Sequence, residues 1–259
     1  MKKILIAVVL VGVIAILIFG GKKSEDEILI NDTNDFYTIS AKYPTEKMDK
    51  EGDMKEFVEY VVKQKQEEWK TGGELYLAEK DIEKTFPDRP KMQYQLDISY
   101  TFSKSNRFNS TSYVFTSYEY TGGAHGGTGL ATFTFGKDGR LAIEDILEIN
   151  NNNDIEITRL IEKKLISVLG ENSSKETINE GLGLAYLRDD NTLDLIKCNC
   201  DGFFFGSNLQ NFVVTDNGIK FIMSQYQVAP YAAGMPEVTL SYEELKPFLK
   251  SQFNIQITN

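Results

Sequence analysis

Apolar residues recur at helical spacing in two long stretches. Over 53–69, Met54, Phe57, Val58, Val61, Val62 and Trp69 fall at i, i+3, i+4, i+7, i+8 and i+15, one stripe of an α-helix. Asp53, with Glu56 three residues on, reads as its N-terminal cap pair. Over 154–170, Ile157, Leu160, Ile161, Leu165 and Val168 share a face, and Gly170 supplies the stop. A third, short helix is signalled by the capping box Ser241/Glu244 ahead of Leu245 and Phe248, with Pro247 limiting its length.

Between these helices the period changes to two. Residues 94–102 and 111–120, joined by a turn-rich stretch, predict one hairpin. Residues 131–135 and 140–143 flank a Gly-Lys-Asp-Gly turn at 136–139 and predict a second; 212–215 and 219–228 flank Asp216-Asn-Gly and predict a third. Hairpins in place of strand–helix–strand units predict an α+β fold: antiparallel sheets built from hairpins, two main amphipathic helices and a short capped C-terminal helix.

The N-terminus follows neither period. Residues 4–21 carry no charge and lie between Lys2/Lys3 and Lys22/Lys23. Eighteen helical residues reach roughly 27 Å, close to the hydrocarbon thickness of a bilayer. The run is therefore a membrane helix or the apolar region of a signal peptide. No small-x-small cleavage site precedes Lys22, which favours the anchor, and no Cys lies near enough for a lipoprotein. The expected organisation is an anchor or signal over 1–23, a polar tether over 24–35, and a body outside the cytoplasm, secreted if the segment is cleaved.

Composition narrows the chemistry. The 259 residues hold 28 Lys+Arg against 38 Asp+Glu, a formal charge of −10, which disfavours a nucleic-acid partner and permits a cationic one. One His excludes the usual multi-His metal centres, and no cofactor motif is present. Cys198 and Cys200 form a C-x-C pair; an extended backbone there would aim both sulfurs to one face, a poor geometry for a bond between them.

Two stretches carry candidate chemistry. In residues 118–129, five glycines within eight positions permit positive φ and close approach of a ligand to the backbone. Neither a phosphate loop nor a nucleophile elbow accompanies them. His125 there is a wide-turn residue bonded to backbone, a ligand contact or a general base. In residues 221–238, alternation breaks at Ala229-Pro-Tyr, so that Tyr226 and Tyr231 either complete the core or offer ring faces to a ligand. The candidate ligand-binding residues are Tyr120, Gly122, Gly123, His125, Tyr226 and Tyr231, with His125 a weak catalytic candidate.

YTGGAHG at 120–126, QYQVAPYAAG at 225–234 and YEEL at 242–245 together resemble the extracytoplasmic domains shared by RsiV-type anti-sigma factors and PdaC-type peptidoglycan deacetylases. The resemblance implies an N-terminal module over 36–130 and a second over 131–254. It also implies a binding role at the bacterial surface, towards lysozyme, a cationic protein, in the RsiV branch. In the PdaC branch the modules precede a separate deacetylase domain. The chain departs from both, with only Met1-Lys2-Lys3 before the apolar run and no Asp/His/His zinc site. The leading expectation is a membrane-anchored, non-catalytic binding or sensor module for peptidoglycan or a lysozyme-like protein. The alternatives are a wall hydrolase or esterase using His125 and a structural envelope subunit.

Overall fold

Two sheets, each with its own helix, organise the chain. A computed structural model describes residues 27–45, 47, 49–78, 93–150, 152–198 and 205–253. The first sheet runs β1 (Glu27–Thr33), β2 (Tyr37–Pro44), β3 (Tyr94–Ser105), β4 (Ser110–Tyr120), β5 (Gly127–Gly136) and β6 (Gly139–Leu141), in that spatial order. Every neighbouring pair is antiparallel except β2–β3, which pair in parallel from Tyr37↔Tyr94 to Ala41↔Ile98. The fold is thus α+β with a mixed sheet, where hairpins alone had predicted an antiparallel one. The cause is α1 (Asp53–Ala78), which lies in the β2–β3 connection and returns the chain to the end of the sheet it left.

Met54, Val58, Val62 and Trp69 of α1 are buried on Ile39, Leu96, Ile98, Phe115, Phe133 and Phe135. Phe57 and Val61, at the edge of the same stripe, are only partly buried. The cap is not Asp53: the carboxylate of Asp49 accepts the backbone N–H groups of Asp53 (2.8 Å) and Met54 (3.1 Å).

Further α-helices among the described residues are α2 (Ile143–Ile146), α3 (Asn153–Leu169), α4 (Lys175–Gly181), α5 (Leu195–Cys198), α6 (Phe205–Asn208) and α7 (Tyr242–Leu245). The second sheet, β7 (Phe212–Val214), β8 (Gly218–Ile222) and β9 (Glu237–Ser241), is antiparallel. Ile157, Ile161, Leu165 and Leu169 of α3 face Phe221, Leu240 and Leu245 in a second core. Cys198 is disulfide-bonded; Cys200, the only other cysteine of the sequence, lies outside the described residues.

The cores meet along a polar seam. The Ser112 hydroxyl accepts the Val214 N–H (3.0 Å) and bonds the Thr134 hydroxyl (2.9 Å). The Phe212 N–H donates to the Thr132 hydroxyl (3.1 Å). The Asp216 carboxylate accepts the Ser105 hydroxyl (3.1 Å) and the Arg107 N–H (3.2 Å).

The expectation of an N-terminal membrane helix is corrected: among the described residues no helix is long and apolar enough to cross a membrane. At 26 residues α1 has the length, but Lys55, Glu56, Glu59, Lys63 and Glu67 line its exposed side. The apolar run 4–21 lies outside the described residues. Membrane contact through 4–21, single-pass localisation and the anchored sensor module therefore have no membrane-crossing helix among the described residues to support them.

Candidate functional site

The glycine loop closes the β4–β5 hairpin. Gly122 (φ 98°) and Gly123 (φ 102°) take a conformation that side chains rarely adopt. The Tyr120 hydroxyl donates to the Gly123 carbonyl (3.1 Å) and draws the loop tip back onto the strand. Gly126 is buried, and a Cβ there would lie 2.5 Å from both the Glu119 carbonyl oxygen and the Tyr118 ring. The loop therefore presents His125, next in line, to the surface.

His125 Nδ1 lies 3.0 Å from the Gly126 carbonyl. A carbonyl only accepts, so Nδ1 carries the proton and Nε2 of the neutral ring is left as an acceptor. The exposed imidazole stacks on Tyr231 with centroids 4.0 Å apart and planes 26° apart. Tyr226 follows, 5.8 Å from Tyr231 and 58% exposed, at a φ of 66°. Three rings from two separate segments thus form one surface: His125 from the β4–β5 loop, Tyr226 and Tyr231 from the stretch after β8.

Polar contacts fix the second segment. The Thr128 N–H donates to Gln225 Oε1 (3.0 Å), pinning the start of β5 to the residue before Tyr226. Gln227 Oε1 accepts the Ser224 N–H (2.9 Å), while its Nε2 donates to the carbonyls of Gly181 (3.1 Å) and Asn208 (2.8 Å). That clamp holds Tyr226 in its unusual backbone conformation. Below the loop, Glu119 pairs with Lys65 (2.7 Å). Burial alone would lower the Lys65 ammonium, but the hydrogen bonds it donates to the Glu119 and Glu68 carboxylates outweigh it and raise its pKa.

All four side chains and both glycines of the candidate set thus sit around one loop and one bend. The clamp residues Gln225 and Gln227 were not singled out as site residues, although each lies beside Tyr226. Among the described residues no group of three or more His, Cys, Asp and Glu is arranged to hold a metal ion.

Comparisons with known proteins give two matches along the chain. Residues 30–128 match the family model described as Deacetylase PdaC, and residues 144–243 match Protein of unknown function (DUF3298). No functionally curated protein matches. A DUF3298 family member from Bacteroides fragilis NCTC 9343 shares the fold with a TM-score of 0.59 at 20% identity, over 90% of this chain and 97% of that one. A DUF3298 family protein from Pseudomonas aeruginosa PAO1 does so with a TM-score of 0.50 at 13% identity, over 88% and 95%. The match over 30–128 is to a deacetylase-associated family, which corrects the expectation of a chain without catalysis. The chain carries an N-terminal PdaC-like domain followed by a C-terminal domain of the DUF3298 family.

Proposed function

We propose that the chain binds an acetylated saccharide on the ring surface of His125, Tyr231 and Tyr226, with Tyr120, Gly122 and Gly123 shaping its rim. The observation that carries the reading is the 4.0 Å His125–Tyr231 stack, which joins the two matched domains in one exposed aromatic face. Aromatic rings bury the apolar face of a sugar while leaving its hydroxyls to polar neighbours. His125 Nε2, the Tyr226 and Tyr231 hydroxyls and the loop peptide groups supply such neighbours. The acetyl group enters from the deacetylase name of the family matched by residues 30–128. In this reading modules 36–130 and 131–254 work as one PdaC/RsiV-like unit, with the ligand between them.

Calorimetric titration with the dimer of β-1,4-linked N-acetylglucosamine tests it, with acetate release assayed in parallel. Tyr231→Ala is expected to weaken binding about tenfold, the loss of roughly 1.4 kcal/mol of ring contact. Acetate release that disappears in His125→Gln would assign chemistry to the same face. Absence of binding, or binding indifferent to Tyr231→Ala and Tyr226→Ala, would overturn the reading.

A further inference from the structure

We infer that the saccharide surface continues along the free edge of β5 into a groove between α1 and residues 210–211, so that the ligand is a linear oligosaccharide spanning both. This rests on the saccharide reading above and adds a second, separate stretch of contact.

The pleat of β5 aims it there. Gly136 and Gly139 close a two-residue hairpin, so the peptide groups of Gly136 and Thr134 face β6. By alternation those of Thr132, Leu130 and Thr128 face the same way, and the Thr128 N–H bond to Gln225 Oε1 agrees. Yet β6 ends at Leu141, opposite Thr134. From Thr128 to Thr132, about 13 Å of strand, no strand among the described residues pairs with that edge. The peptide N–H and carbonyl of Leu130 stand in the middle of it.

Beside that edge lies a groove of about 450 Å³ whose walls include Asp53, Glu56, Phe57, Tyr60, Arg140 and Asn211. A second hollow of about 300 Å³ adjoins it, sharing Thr132, Arg140 and Gln210. Asn211, 6% exposed, lines the groove beside Gln210 and sets a carboxamide in its wall. Tyr60 stands 62% exposed at the mouth, beside the partly buried Phe57. Arg140, over the Phe133 ring at 4.8 Å and 3.6 Å from Asp53, sets a donor beside carboxylate acceptors.

This mixture suits an N-acetylated sugar chain. Carboxylates, a guanidinium and carboxamides bond hydroxyls; an aromatic flank takes a ring face; the Leu130 peptide matches an acetamido group donor for acceptor. An extended peptide could also pair with a free strand edge. The carboxamide and aromatic walls, and continuity with the three-ring surface at the other end of the edge, favour the sugar.

The full chain is titrated with β-1,4-linked N-acetylglucosamine oligomers from two to six units. Affinity is expected to rise at least tenfold from dimer to hexamer. Tyr60→Ala, an exposed change that spares the fold, and Asn211→Ala should return the hexamer to the dimer's affinity while leaving the dimer unaffected. A hexamer that binds no better than the dimer, or one that keeps its advantage in Tyr60→Ala, overturns the inference but leaves the three-ring site standing. Loss of dimer binding in wild type removes both. A lysine–valine hexapeptide that shifts the Leu130 amide resonance where the hexamer does not would assign the groove to peptide and likewise overturn it.

Discussion

Gly126 and Gly127 are neighbours in a glycine-rich run, yet their environments differ entirely. A methyl group at Gly126 would meet the fixed Glu119 carbonyl, whereas at Gly127 it would meet nothing within 4 Å. Gly126→Ala is therefore expected to destabilise the fold by about 1–3 kcal/mol, and Gly127→Ala to leave the urea midpoint nearly unchanged. The run announced a backbone that needed freedom, but which glycine was obligatory depended on the strand beneath it. Tyr226 shows the same limit. A non-glycine residue at positive φ carries no mark in its own identity; the Gln227 clamp that holds it draws on carbonyls of Gly181 and Asn208. Tyr43 makes a residue-scale prediction of another kind. Burial first, then the hydrogen bond to Glu59, push its phenol up to about 12, against about 10 in an unfolded chain. The folded state holds this proton longer, so its stabilisation is complete below pH 10 and is lost as pH rises from 10 to 12. Denaturant midpoints measured from pH 8 to 12 should fall above pH 10, and less steeply in Tyr43→Phe.

At the scale of elements, periodicity was informative wherever one face alone was buried. The stripe Met54, Val58, Val62, Trp69 in α1 and the stripe Ile157, Ile161, Leu165 in α3 were readable because burial imposes a 3.6-residue recurrence. The tight turns at Lys137-Asp138 and Asp216-Asn217 were readable because their chemistry is local. The parallel pairing of β2 with β3 was not, since a helical crossover leaves no local signature in either strand. The Asp49 cap was missed for a related reason: it stands four positions before the first helical N–H it satisfies. Trp69 anchors α1, 1% exposed and within 5.8 Å and 5.5 Å of the Tyr37 and Tyr94 rings. Its indole N–H has no partner among the described residues. Trp69→Ala is expected to cost about 3–5 kcal/mol, and Trp69→Phe much less, because phenylalanine keeps the ring contact and removes the unbonded donor. Chemical denaturation of the two variants measures the difference directly.

For the whole molecule, the decisive contact is the seam, because a ligand face made from two domains needs their relative position held. The seam joins two apolar cores through hydroxyls and backbone donors, with Ser112 at its centre and itself fully buried. Removing its oxygen leaves the Val214 N–H without an acceptor and the Thr134 hydroxyl without its partner, a cost of about 1–3 kcal/mol. That cost falls on the junction, while the interior of each core is untouched. Ser112→Ala should therefore loosen the coupling between two units that each keep a core of their own. In wild type, tryptophan fluorescence reports on Trp69 in the first core alone, whereas far-ultraviolet circular dichroism reports on both; the two signals should coincide through urea unfolding. In Ser112→Ala they should separate, while Lys137→Ala at an exposed hairpin tip should leave them superimposed. Saccharide binding should weaken in Ser112→Ala even before unfolding begins, since His125 and Tyr231 sit on opposite sides of the seam. Coincident transitions and unchanged binding in Ser112→Ala would show that the aromatic stack and the Thr128–Gln225 bond suffice to hold the domains together.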